Sequence, residues 1–297
     1  MSATILNEVS DQIQKFWSPL LVPELKEAAI LPSLVSADYQ GEIKQGGDTV
    51  YVSMIQAATG STSTISADGS HTTIESEKMK TQRVGIVADK IFSASFELDS
   101  LIDLQTQLAD PSAKQTIRES LLKGIELQIN KHLYSLVAPS LSNPDHRLEG
   151  VATFDEDAIL AHRVLASQSK WPADERFTLL DPSYYGQFLK VSNMTSKDFV
   201  SDEAKVGGQI MQKRYGFNVL EDNSDAMGIL SPTLAGSKFA LSFHKSFMYL
   251  VLQEQATFKI SDLHSTKKRG YLITVDVIGG AKLGLQGELK HIVSYNA

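Results

Sequence analysis

Seven histidines, no cysteine and two acidic clusters are what this 297-residue chain offers for chemistry. The histidines stand at positions 71, 132, 146, 162, 244, 264 and 291. None is four residues from another, the spacing by which one helix presents two imidazoles to a zinc ion. His132 falls near the end of a long helical pattern, where a cationic or hydrogen-bonding imidazole is favoured without any ligand role. Without cysteine there is no disulfide, thiolate metal site or sulfur nucleophile. Gly279-Gly280-Ala281-Lys282-Leu283-Gly284 lacks the spacing and the Lys-Ser/Thr pair of a phosphate loop, and no G-x-S-x-G elbow occurs. Asp222-Asn223-Ser224-Asp225 is acidic like a calcium loop, but Met227 stands where the sixth-position glycine is required, so it reads as a solvated turn. Asp155-Glu156-Asp157 reads as an acidic helix N-terminus. Asn193-Met194-Thr195 fits a glycosylation acceptor, with no secretory signal to give it meaning. No catalytic residue, cofactor or metal site is expected, and the chain reads as non-enzymatic.

Bulk composition narrows the class further. With 42% hydrophobic residues the chain can bury a sizeable core. A net charge of −7, with no long basic run, disfavours a nucleic-acid-wrapping role, because affinity there comes mostly from phosphate neutralisation. The start carries Glu8 and Asp11 and lacks the basic, apolar and small-residue regions of a signal peptide. The longest clean apolar run, Phe247 to Leu252, is far too short to span a bilayer. A soluble protein made inside the cell is expected.

The element that organises the rest is a helix expected over Ser112 to Val137. Asp110-Pro111 opens it and Ala138-Pro139 closes it. Ile117, Leu121, Ile125, Ile129, Leu133 and Leu136 or Val137 recur every three to four residues and share one face. Lys114, Arg118, Glu119, Lys123, Glu126 and Lys131 share the other, with Glu119 and Lys123 spaced to pair. At 1.5 Å per residue it is roughly 40 Å long.

Its flanks hold more projecting chain than one compact domain needs. Ile5, Val9, Ile13, Phe16 and Trp17 have helical spacing before Ser18-Pro19 interrupts it, and a second short segment runs from Pro23 to Ala29 before Leu31-Pro32. Phe16 and Trp17 are too large for so short a segment to bury, so either the body of the chain or another subunit covers them. Thr49 to Ile55 alternates as a strand. From Gln56 to Ser76, 12 of 21 residues are Ser, Thr or Gly, and only Ile65 and Ile74 are sizeable aliphatics, too little burial to offset the entropy of ordering. Extended segments return over Met79 to Val87 and Lys90 to Phe96. This pattern predicts a two-stranded arm, which needs a neighbouring surface because an isolated hairpin is marginally stable.

The C-terminal half reads as α/β. Helices are expected from Phe154-Asp155 to Ser169, from the Asp181-Pro182 start signal on through Tyr184 to Val191, and over Gln209 to Tyr215. Strands are expected at Arg176 to Leu180, Phe217 to Leu220, Ser237 to Phe243, Phe247 to Leu252, Thr257 to Ile260, Tyr271 to Ile278 and Glu288 to Tyr295. Lys267-Lys268-Arg269 reads as a solvated hairpin tip able to meet phosphate or an acidic neighbour.

Trp17-Ser18-Pro19, Asp38-Tyr39-Gln40-Gly41-Glu42-Ile43, Gly46-Gly47-Asp48-Thr49-Val50, the thin loop, the long helix after Leu98-Asp99-Ser100-Leu101, and Phe239-Ala240-Leu241-Ser242-Phe243-His244-Lys245-Ser246 follow in an order that resembles the major capsid proteins of tailed double-stranded DNA phages. The resemblance covers essentially the whole chain. It implies an α+β, HK97-like capsid fold with an N-terminal arm at 1–40, an extended β-hairpin loop at 41–92, a peripheral domain with the spine helix at 93–140 and 246–278, and an α/β axial domain at 141–245 and 279–297. It further implies self-assembly as hexamers and pentamers into an icosahedral shell enclosing double-stranded DNA without sequence-specific binding. The virion capsid would be its location, assembled in the host cytoplasm. Partners would be further copies of itself, a portal, a decoration protein and, since the chain reaches the arm directly from Met1, a separate scaffolding protein or none. Phe16, Trp17, Ile65, Ile74, Lys267, Lys268 and Arg269 are the candidate subunit-interface residues. An encapsulin-like compartment around a cargo enzyme and an α/β enzyme with an unrecognised site are the alternatives.

Overall fold

The computed structural model describes residues 29–37, 49–55, 60, 62–70, 78–99, 111–191, 215–230, 237–253, 257–263, 270–284 and 289–296. In chain order, α1 is Leu31–Leu34, β1 Thr49–Ile55, β2 Thr81–Val87, β3 Lys90–Asp99 and α2, the long helix, Pro111–Val137. Two short 3-10 turns lead to β4 (Arg147–Leu148), α3 (Glu156–Gln168), β5 (Arg176–Leu180), α4 (Pro182–Phe188) and β6 (Asn218–Glu221). Another 3-10 turn, Asp225–Leu230, precedes β7 (Phe239–His244), β8 (Met248–Leu252), β9 (Thr257–Asp262), β10 (Gly270–Leu283) and β11 (His291–Tyr295).

The long helix forms over the expected span and buries the expected face. Leu121, Ile125, Ile129, Leu133 and Val137 are all sealed in the main core. On the solvent side the pairing differs from the spacing rule: Lys123 meets Glu126 at 3.0 Å, while Glu119 accepts from Gln115 at 2.9 Å. Exposed pairs three and four residues apart differ by only tenths of a kcal/mol, so spacing alone does not select between them.

Strand β10 is longer than the expected Tyr271 to Ile278 and is the centre of one sheet. It pairs antiparallel with β3 through Gly270–Gly279 on one edge, and with β9 through Tyr271–Asp276 and then β8 through Gly279–Leu283 on the other. Gly279 lies opposite Leu252 and Asp276 opposite Thr257. Side-chain alternation divides this sheet cleanly. Val275, Val277, Ala281 and Leu283 face the long helix, while Ile278 faces the β1–β2 hairpin on the opposite side. The outer edge of β8 is partly covered by the end of the N-terminal region, where Ser36 N donates to Met248 O at 3.2 Å and Leu250 N to Ser36 O at 2.9 Å.

The second sheet has the order β4-β11-β7-β5-β6, with parallel pairs at β4–β11 and β5–β6. Helices α3 and α4 cover one face through Ile159, Ala166, Tyr184 and Phe188, and Leu179, Leu241 and Val293 on the other face join the core of the long helix. Burial on both faces explains the nearly continuous apolar runs of these strands. Helix α4 begins at the Asp181-Pro182 start signal, because the Asp181 carboxylate accepts from Ser183 N at 2.8 Å and Pro fits the first helical turn, and it ends at Phe188, short of the expected Val191. The helix expected over Gln209 to Tyr215 lies outside the described residues except for Tyr215, which turns with Gly216 at φ +87° into β6.

Candidate assembly surfaces

The groups that looked able to do chemistry are mostly structural. Asp155 caps α3, its carboxylate accepting from Ala158 N at 3.2 Å. Gly279 and Gly280 lie inside strand β10. The expectation of a solvated turn at Asp222-Asn223-Ser224-Asp225 is wrong: Asp222 is 1% exposed and Ser224 is buried. Asp222 accepts from the Tyr134 hydroxyl at 2.5 Å and from Ser224 N at 2.9 Å, while Asn130 Nδ2 donates to Ser224 Oγ at 3.1 Å. A polar link from the long helix supplies donors to Asp222 and Ser224, and only the tertiary fold brings positions so distant in the chain together.

The nearest approach to a nucleophile–base pair is Ser242 Oγ beside His162 Nδ1 at 2.7 Å, with Thr178 Oγ1 at 2.8 Å from the same serine. All three are completely buried under α3, so no substrate can reach them. Burial pushes His162 down to about 4. His291 is pushed down to about 3 by burial first and by the neighbouring His146 second; the two rings stack at 4.3 Å, and His291 Nε2 lies 2.8 Å from Ser140 Oγ. His132 is lowered by burial and then by Lys90, and its ring lies 5.7 Å from Phe92. Among the described residues no group of three or more His, Asp or Glu could hold a metal ion.

The unusual features are instead on the surface. Strands β1 and β2 pair antiparallel through seven residues, from Thr49 opposite Val87 to Ile55 opposite Thr81. This is the two-stranded arm expected from the sequence. Val50, Val52, Val84 and Ile86 on one face rest on Tyr249 and Val251 of the same chain, whereas Tyr51 and Val87 on the other are exposed. In the chain between β1 and β2, Ser66 N donates to Ser70 O at 2.8 Å and Gly69 N to Ser66 O at 2.9 Å across a turn; Gly69 takes a positive φ there. Ile65, beside that turn, is 76% exposed. Exposed apolar residues also stand on the sheet of β10: Phe96, 40% exposed, and Ile260, 71% exposed, flank Ile273, which packs against the main core.

Of the seven candidate interface residues only Ile65 belongs to the described part of the chain. Phe16, Trp17, Ile74, Lys267, Lys268 and Arg269 lie outside it. Reading the sequence missed Tyr51, Phe96, Phe258, Ile260 and Tyr271. Thr257 to Asp262 does alternate, but alternation announces an apolar face without saying whether the chain covers it.

No family model matches the chain and no curated protein matches it. Solved structures do. A chain from Mycobacterium phage Che8 aligns with TM-score 0.69 and 18% identity over 95% of this chain and 97% of that one. The capsid structure of cyanophage P-SCSP1u aligns with TM-score 0.69 and 15% identity over 97% and 94%. The capsid of cyanophage Pam1 aligns with TM-score 0.62 and 13% identity over 97% of both chains. At such identities the likeness is one of fold: the chain has the α+β, HK97-like fold of tailed-phage capsid proteins.

Proposed function

We propose that this chain is a major capsid protein, a non-enzymatic structural protein that assembles as pentamers and hexamers into the icosahedral shell of a tailed double-stranded DNA phage. The observation that carries this reading is end-to-end similarity to chains of solved phage capsids, at TM-score 0.69 for cyanophage P-SCSP1u and 0.62 for cyanophage Pam1, with nearly all of both chains aligned. The projecting hairpin supports it, since its outer face and the chain between its strands expose Tyr51, Val87 and Ile65, which the chain itself leaves uncovered. Shells distribute burial over such extended elements, not over one compact patch.

In this reading residues 1–40 are the N-terminal arm and 41–92 the extended loop. Residues 93–140 and 246–278 form the peripheral domain, and 141–245 with 279–297 the axial domain. Phe16, Trp17, Ile65, Ile74, Lys267, Lys268 and Arg269 meet neighbouring copies. Portal, scaffolding and decoration proteins are its partners, double-stranded DNA its enclosed cargo, and the host cytoplasm its site of assembly. Electron microscopy of the purified protein tests the reading: capsomers or closed shells are expected, and a monodisperse monomer at high concentration overturns it.

A further inference from the structure

Where the chain returns from β2 to the body, the crossing is built on glycine. At the hairpin's root, β2 ends at Val87 and the chain crosses β10 directly over Gly280. A Cβ on Gly280 would overlap the Val87 carbonyl oxygen and stand 2.9 Å from its carbon and 3.2 Å from Ala88 Cα. These atoms are backbone, so no rotamer change relieves the overlap. Gly279 is equally confined from the other side, where its Cβ would lie 2.6 Å from Leu252 Cδ2 and 2.9 Å from Val251 O. Two residues along the same face of β10, Lys282 Nζ donates to Gly85 O at 3.0 Å. Val50, Val52, Val84 and Ile86 rest beside this crossing on Tyr249 and Val251, with Ile278 packed against them.

We propose that Gly280 and Lys282 are positioning residues for assembly, together fixing the angle at which the hairpin projects. This rests on the reading of the hairpin as the arm that reaches a neighbouring copy. Backbone approach over Gly280 sets the height of the root, and the Lys282 bond to β2 sets its rotation. Freedom to bend is then confined to the chain beyond the seated valines. A change of angle at the root moves the arm's end in proportion to its length, and each strand residue adds about 3.4 Å. The angle between neighbouring copies, and hence shell curvature, follows from the root.

The test uses full-length Gly280→Ala and Lys282→Met, with Gly186→Ala as control because a Cβ there meets nothing within 4 Å. Hydrogen exchange is measured on unassembled protein and particle diameter by electron microscopy. Gly280→Ala is expected to speed amide exchange at 50–52 and 84–86 roughly tenfold or more, with protection of β5 and β7 retained. Lys282→Met is expected to give a smaller increase at the same amides. Both should yield particles of altered or heterogeneous diameter, and Gly186→Ala should match the parent. Unchanged exchange at the root in both variants overturns the proposal, as does altered exchange with parental diameter. Parent protein that forms no particles would refute the capsid reading, while the exchange data still decide whether the root is fixed by these residues.

Discussion

The Tyr134 hydroxyl donates to the Asp222 carboxylate at 2.5 Å, joining the long helix to the chain that leaves β6. Both side chains are sealed from solvent, and among the described residues no cation bonds to the carboxylate. Its charge is instead balanced by donors: the Tyr134 phenol on Oδ2 and Ser224 N on Oδ1. Burial, and then the Asp222 charge, hold the phenol well above its usual pKa. Asp222 N in turn donates to Leu180 O at 2.9 Å, so the link ends on the central strands of the second sheet.

Tyr134→Phe keeps the ring and removes that donor. A hydrogen bond to a charged group contributes about 1.5–3 kcal/mol, and the carboxylate left behind stays buried. Urea denaturation should show a loss of that size. An unchanged midpoint would mean that Asp222 does not depend on the hydroxyl.

Acid should weaken the fold through histidines held neutral. His162 and His291 have folded pKa values near 4 and 3, below the ordinary 6.5, so the unfolded chain binds protons that the folded chain refuses. Their contribution is complete above about pH 6.5 and is lost as pH falls from there through each folded value. For His162 alone this is on the order of 3 kcal/mol. Denaturation midpoints should therefore drop between pH 7 and pH 4. His162→Asn, which retains a group at the Nδ1 position facing Ser242, should flatten part of that fall. Equal stability at pH 7 and pH 5 would contradict the assignment.

Leu121→Asp places an unpaired charge on the buried face of the long helix. Its desolvation exceeds the few kcal/mol of net stability that a domain has, so soluble folded protein should not be recovered. Arg118→Ala on the same helix is a contrast. It removes only the stacking of the guanidinium over Phe258, 4.2 Å from the ring centre, and should cost about 0.5–1 kcal/mol by thermal denaturation. A folded Leu121→Asp capsomer would refute the packing.

Deletion of 58–74 should leave the body folded and impair shells. Every described residue from 60 to 70 except Ser63 is exposed, so the segment buries almost nothing in its own chain. Circular dichroism and melting should match the parent while electron micrographs show few closed particles. Loss of the folded monomer would refute an arm that works only between copies.

Local chemistry determined much of this protein from sequence alone. The apolar period of the long helix, the alternation of Thr49–Ile55 and the caps at Asp155 and Asp181 depend on residues within a few positions of one another, and each element appears where that logic puts it. The order of these parts also carried the fold class. Tertiary structure decided what local spacing does not encode. Asp222 looked solvated because its neighbours in the chain are polar, and became buried because Tyr134, 88 residues away, supplies its donor. Gly280 looked like one glycine among several until the Val87 carbonyl was seen to lie against it. Phe96 and Ile260 read only as the ends of extended segments with no face assigned, and the described fold leaves them exposed. Burial is set by what arrives from elsewhere in the chain, or from another copy, and a linear pattern shows only that a face is available to be covered.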